Sequence, residues 1–263
     1  MNIMGKKTVI HADHRCGRSW LIRTVQTLAL AGLISLCRAE TIVLGAEDDW
    51  LPFSGIIDGQ ARGFAVDVVR EAYQAAGIEV QFESLPYARC MAESKAGKIL
   101  GCFDAARNSL LEPHYLWHAR PLFTARINIY ALNSSNDADL TPKDLEKQEV
   151  GVTNGYEYGE AFDTNPLIVR SVSNQDIQGF RKLVAGRVKY MVAYEKVTDY
   201  LLRRYPAIAG RFKAVGMTAE PALYIAFSRH FPRSAYYVDR FNSGLDLITK
   251  NGRYKAIESK WFP

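Results

Sequence analysis

The chain lacks the short signatures by which many enzymes are recognised. No glycine-rich phosphate loop, no Gly-x-Ser-x-Gly and no His-Glu-x-x-His occurs in its 263 residues. His114 and His118 stand four apart, but Pro113 and the strand-like Leu116 and Trp117 argue against a metal-binding helix. Surface or partly buried histidines are expected there, and no metal or cofactor is expected. An excess of charge is also missing. The formal net charge is +5, but residues 1–39 hold six basic side chains against Asp13 alone, so the remainder is neutral. A neutral body gives no reason to expect nucleic acid. After residue 39 there is no apolar run long enough to span a bilayer. Cysteine is scarce: of four, only Cys90 and Cys102 lie beyond residue 39. One pair could form a disulfide or remain as two buried thiols.

What is present begins with a leader. A basic segment precedes the short apolar run Thr24 to Leu36, and Cys37-Arg38-Ala39 places small residues where a signal peptidase reads. Residues 1–39 are therefore expected to be a signal peptide cleaved after Ala39, with Met4 as an alternative start. The mature protein is expected in the periplasm as a monomer.

The body is organised around Asp48 to Phe53 and Gly63 to Asp67. Thr41 to Gly45 reads as a buried strand, because it is continuous, β-branched and ended by glycine. Phe64 to Ala76 reads as a helix: Phe64, Val66, Val69, Tyr73 and Ala76 recur at helical spacing, and Gly77 ends it. With the strand Ile78 to Phe82 this makes a βαβ unit, whose ligands bind beyond the carboxyl ends of the strands. That places Trp50 at a mouth, while Phe53 is expected in the core.

Downstream, Ser84 to Cys90 begins a helix, Lys98 to Phe103 is a strand ending at Asp104, and Glu149 to Thr153 is a strand after which Gly155 and Tyr156 open a helix. A strand over Arg187 to Ala193 delivers Tyr194 and Glu195. The last strand and helices are expected over Pro221 to Ser228, Tyr236 to Lys250 and Tyr254 to Trp261. The segments Ala96 to Ile99 and Ala185 to Val188 echo each other, each turning at glycine into a strand that ends at a carboxylate. Two similar lobes follow.

Trp50-x-Pro52-Phe53 followed by Gly63-Phe64-x-x-Asp67 resembles the opening of the periplasmic solute-binding proteins of polar amino-acid ABC transporters, the family 3 extracellular solute-binding proteins. Leu223 to Ser228 and Arg240 to Leu245 are similar to that family as well. The resemblance implies an α/β, type II two-lobe periplasmic binding protein-like fold, each lobe a mixed sheet flanked by helices, joined by two hinge strands. Residues 40–131 plus 220–263 would form lobe 1 and residues 132–219 lobe 2. The implied function is capture of a small polar amino-acid-like or amine ligand for uptake through an ABC permease. The alternatives are a dehydratase-like enzyme of the same fold, with Asp104 and Glu195 sharing acid–base work, or a ligand sensor.

The resemblance also implies a site. An aromatic at Trp50 stacks on the ligand, Tyr87 lines the cleft, and Glu195 holds an ammonium. The arginine that grips a ligand carboxylate is replaced by Leu111, so either Arg107 substitutes for it or the ligand is not a standard α-amino acid. Asp104, Gly155, Tyr156 and Glu157 complete the expected ligand-binding set. The alternative for Arg107 is a surface salt bridge to Asp104 or Glu112.

Overall fold

The computed structural model describes residues 1, 5 and 40–263. The expected leader, its cleavage site and Met4 lie outside the described residues. No helix among the described residues is long and apolar enough to cross a membrane.

The chain opens with β1 (Glu40–Glu47), which is buried on both faces over its last four residues. Three short strands follow as an antiparallel meander: β2 (Asp49–Trp50), β3 (Ser54–Ile57) and β4 (Gln60–Arg62). The expected loop at the mouth is thus a small folded sheet. Helix α1 (Phe64–Ala75) buries Phe64, Val66, Val69 and Tyr73, the apolar stripe expected at 3.6-residue spacing. The strand β5 (Ile78–Leu85) returns parallel to β1 in full register, Glu40 opposite Ile78 and Glu47 opposite Leu85. Helix α2 (Tyr87–Lys95) leads to β6 (Gly101–Ala106), which is buried throughout. Asp104 therefore lies inside this strand rather than at its end. Cys90 and Cys102 are joined in a disulfide with Cα atoms 5.7 Å apart, linking α2 to β6.

Beyond β7 (Tyr115–Leu116) and β8 (Phe123–Thr124), the chain passes at Ala125 and Arg126 into a second sheet. That sheet takes β9 (Ile127–Leu132), β10 (Glu149–Thr153), β11 (Val169–Ser173), β12 (Tyr190–Tyr194) and β13 (Phe212–Ala219), ordered β11-β10-β12-β9-β13. Between its strands run α3 (Glu160–Asp163), α4 (Asp176–Val184) and α5 (Glu195–Arg204). The chain returns through Glu220 and Pro221 to β14 (Ala222–Ser228), which pairs antiparallel with β6 in the first sheet, ordered β5-β1-β6-β14-β7. Helices α6 (Ser234–Lys250) and α7 (Arg253–Trp261) close it. Two mixed sheets flanked by helices and connected twice give the two-lobe α/β architecture.

Two local expectations are corrected. The residues after Gly155 do not open a helix. Gly155 and Gly159 both take left-handed backbone, φ 82° and 98°, and the four-residue α3 starts only at Glu160. Such backbone cannot propagate a right-handed helix. His118 is fully buried: its Nε2 accepts a hydrogen bond from the Ile225 N–H at 2.9 Å, and burial pushes its pKa down to about 3.

Candidate functional site

The site forms where the carboxyl ends of β1 and β6 meet the second sheet. Parallel pairing sets Gly45 beside Cys102. Two residues on, Glu47 ends β1, and Asp104 stands near it where β6 breaks its regular pairing with β14, close enough for the two carboxyls to repel. Glu47 is 5% exposed and Asp104 4%. Burial raises both carboxyls well above the usual carboxylate range, and the like charges of Asp104, Asp176 and Asp48 push Glu47 further. Asp104 takes a left-handed backbone, φ 71°, at this position. Both of its carboxyl oxygens are buried without a hydrogen-bond partner, as is Trp50 Nε1. Strained, unsatisfied groups inside a protein often mark a site awaiting something.

The second lobe answers with its own carboxyls. Asp176, the first residue of α4, is buried; its Oδ1 accepts from the Thr153 hydroxyl and its Oδ2 has no partner. Burial, partly offset by Thr153 and reinforced by Asp49, places its pKa at about 6. Glu157 Oε2 accepts the Tyr87 hydroxyl across the cleft at 2.8 Å. Its pKa is pushed up to about 8, first by burial, against the lowering effect of Tyr87. Tyr156 reaches the other way and donates to Glu47 Oε1. The lobes therefore meet through two tyrosine–carboxyl pairs of opposite sense. The outer rim adds the Ser109 N–H to Glu160 Oε2 at 3.3 Å.

Aromatic rings wall this cluster. Trp50 is 2% exposed, with its ring 4.7 Å from Phe53 and edge-on to Tyr194 at 4.9 Å. Tyr87 and Tyr156 meet edge to face at 5.4 Å. Gly155 is backed against Ala88 of the first lobe: a Cβ there would stand 2.8 Å from the Ala88 Cβ. Two recesses flank the Thr153 to Tyr156 segment. One, of about 510 Å³, is lined by Glu47, Asp49, Tyr87, Asn154, Tyr156 and Gln175. The other, of about 300 Å³, is lined by Leu111, Gly155, Glu157, Tyr158, Asp163 and Arg170.

Of the expected set, Trp50, Tyr87, Asp104, Gly155, Tyr156 and Glu157 come together here. Two do not. Arg107 lies past the end of β6 at the rim, where its Nη2 pairs with Glu112 Oε1 at 2.6 Å; both side chains are largely solvent-exposed. This is a surface ion pair; the arginine that shares a recess with Leu111 is Arg170, whose Nη2 donates to the Phe162 carbonyl. Glu195 is the first residue of α5, not the end of β12, and the chain has already turned. It is Tyr194 that faces Trp50, whereas Glu195 Oε1 accepts from Asn128 Nδ2 at 3.3 Å. It lines a separate recess with Arg126, Asp137 and Lys213, where the chain crosses between sheets. The acid–base pairing of Asp104 with Glu195 is therefore not formed. The residues missed are Asp176, Thr153, Glu47 and Tyr194. The last two are the final residues of β1 and of β12 (Tyr190–Tyr194). Asp176 depends on strand β11, whose sequence shows no apolar period.

A family model for bacterial extracellular solute-binding proteins, family 3, matches residues 42–263. The chain belongs to this family. Within it, the "Probable histidine-binding protein" of Campylobacter jejuni is 21% identical over 233 residues, covering 84% of each chain. Among solved structures, an ancestral arginine-binding protein bound to arginine superposes with a TM-score of 0.72 at 21% identity, covering 85% of this chain and 98% of the other. A histidine kinase sensor domain with similarity to periplasmic binding proteins gives 0.73 at 21% identity, covering 86% and 97%. At these identities the structures establish a shared fold.

Proposed function

We propose that this family member is a solute receptor that captures a small polar, amine-bearing ligand between its lobes and passes it unchanged to an ABC permease. The expected periplasmic location and monomeric state belong to the same reading. The observation that carries it is the meeting of carboxyls from both lobes. Glu47 and Asp104 come from one lobe and Asp176 from the other, all buried, with both oxygens of Asp104 and Oδ2 of Asp176 lacking a partner, and the half-buried Glu157 joins them. A ligand that satisfies groups on both sides favours the closed form over the open one by its contacts with both. The relatives named for histidine and arginine support an amine-bearing ligand. Crossings at Ala125–Arg126 and Glu220–Pro221 would serve as the hinge. Calorimetric titration and small-angle scattering with a panel of amino acids and amines test this. Saturable binding accompanied by a smaller radius of gyration is expected. Absence of both across the panel would refute it.

A further inference from the structure

We propose that the cleft takes an organic ammonium that carries no carboxylate, of the aliphatic diamine class, with its charged ends seated against Glu47 and Asp104 in one lobe and Asp176 in the other. This rests on the two-lobe binding reading and adds the charge type of the ligand. The first observation is the sign of the buried charge. Glu47, Asp104, Asp176 and Glu157 are all acids, and among the described residues no lysine or arginine forms an ion pair with any of them. The cations closest to the cluster are engaged elsewhere or remain peripheral. Arg107 pairs with Glu112 at the rim. Arg170 donates to the Phe162 and Asn165 carbonyls and lies over the Phe162 ring. Arg204 acts on Asp49, at the outer edge. A ligand carboxylate placed against Glu47, Asp104 and Asp176 would enter as a further anion with no cation beside it among the described residues, which is costly in a buried site.

The second observation is independent of charge counting. Both oxygens of Asp104 and Oδ2 of Asp176 are buried acceptors without donors. An alkylammonium brings three N–H donors and no acceptor, so it fits a set of orphaned acceptors. A compact metal ion is disfavoured by the spacing: among the described residues no three His, Cys, Asp or Glu converge closely enough to hold one. Positive charge carried at separated points on a larger molecule suits this spacing better. The rings of Tyr87 and Tyr156, which line the recess beside Glu47, provide apolar walls for a methylene chain and π faces for its ends. Burial raises the carboxyl pKa values of Glu47 and Asp104, and a cation seated against them would lower those values again, so binding releases protons.

The test compares 1,5-diaminopentane with lysine, which differ only in the carboxylate. Calorimetric titration of the wild-type chain at pH 7.5 should show the diamine bound on the order of 100-fold more tightly than lysine. Titration in buffers of different ionisation enthalpy should show protons released on binding. Asp104→Asn and Asp176→Asn should each weaken diamine binding at least about 10-fold while the unfolding temperature holds or rises. That thermal result separates lost recognition from lost folding. Lysine binding as tightly as the diamine would overturn the inference and leave the receptor reading intact. So would a neutral amino acid binding while the diamine does not. Failure of every amine and amino acid to bind or to compact the protein would instead refute the receptor reading.

Discussion

Raising the pH should loosen the unliganded protein, and the Glu157 share of the effect can be worked out. Its carboxyl moves from an ordinary 4.5 to about 8 in the closed structure, mainly through burial. The groups facing it are Tyr87, whose hydroxyl it accepts, the Ala106 backbone N–H, and Asp163, a like charge that raises it further. Tyr115 and Tyr194 also feel its charge. No cation is among these neighbours. A raised carboxyl pKa means that the folded, closed state holds its proton more tightly than the unfolded one. The associated stability is complete below about pH 4.5 and drains away as pH rises through about 8. Each pKa unit is worth roughly 1.4 kcal/mol, so the full loss is roughly 5 kcal/mol. For a chain of this size that would lower the unfolding temperature by roughly 10–20 °C. The protein has a cheaper response, because parting the lobes hydrates Glu157 and removes the penalty. The fall in unfolding temperature between pH 5 and pH 9 should therefore be smaller than that, and the radius of gyration should grow over the same interval. Asp176, with its pKa at about 6, adds a smaller step at the acid end. Differential scanning calorimetry and small-angle scattering on the wild type and Glu157→Gln measure both. Glutamine still accepts the Tyr87 hydroxyl but cannot ionise, so the variant should lose the Glu157 share of the slope and keep that of Glu47 and Asp104. A wild-type unfolding temperature that rises from pH 5 to pH 8, or a variant as steep as the parent, would refute the reasoning.

Gly155→Val should block lobe contact, because a Cβ there meets Ala88; ligand affinity should drop at least about 10-fold in calorimetry, with roughly 1–2 kcal/mol lost from backbone strain at φ 82°. Cys102→Ser removes a crosslink spanning 12 residues, and urea unfolding should show roughly 2–3 kcal/mol less stability, mirrored by reduction of the wild type. Gly244→Ala in α6 would place a Cβ inside van der Waals contact with the Ala72 carbonyl oxygen of α1, so the two helices must part; a loss of roughly 1–3 kcal/mol is expected in the same assay.

The elements legible in the sequence were those with a strong period or run. The strand from Thr41, the helix from Phe64 and the strand Glu149–Thr153 follow from apolar runs and 3.6-residue spacing, and each lies where those patterns put it. The meander Asp49–Arg62 reads as a loop in sequence, because strands of two to four residues are too short to display alternation. Strand β11 was missed because it presents Val169 and Val172 to solvent, which hides any buried face. Losing β11 also hid Asp176, whose position at the start of the next helix has meaning only once that strand is placed. The displacement of Glu195 has a simpler cause. Taking the strand's outward carboxylate as its last residue errs by one position, and one residue is enough to turn a side chain to the other side. Arg107 failed as a ligand group because Glu112, five residues on, satisfies it locally.

The first sheet is not made from one continuous stretch of chain, and this orders its assembly. Strand β14 lies between β6 and β7, and Phe262, one residue from the end, packs 5.6 Å from Phe53 and 5.3 Å from Phe64. All strands of the second sheet, by contrast, lie between Ile127 and Ala219. As the chain emerges from synthesis, the second sheet has all of its strands while β6, β7 and β8 still wait for β14, which has not been made. The half of the cleft carrying Glu47 and Asp104 is thus finished last, and truncating even the final helix would open the aromatic core behind Trp50 before touching the far lobe.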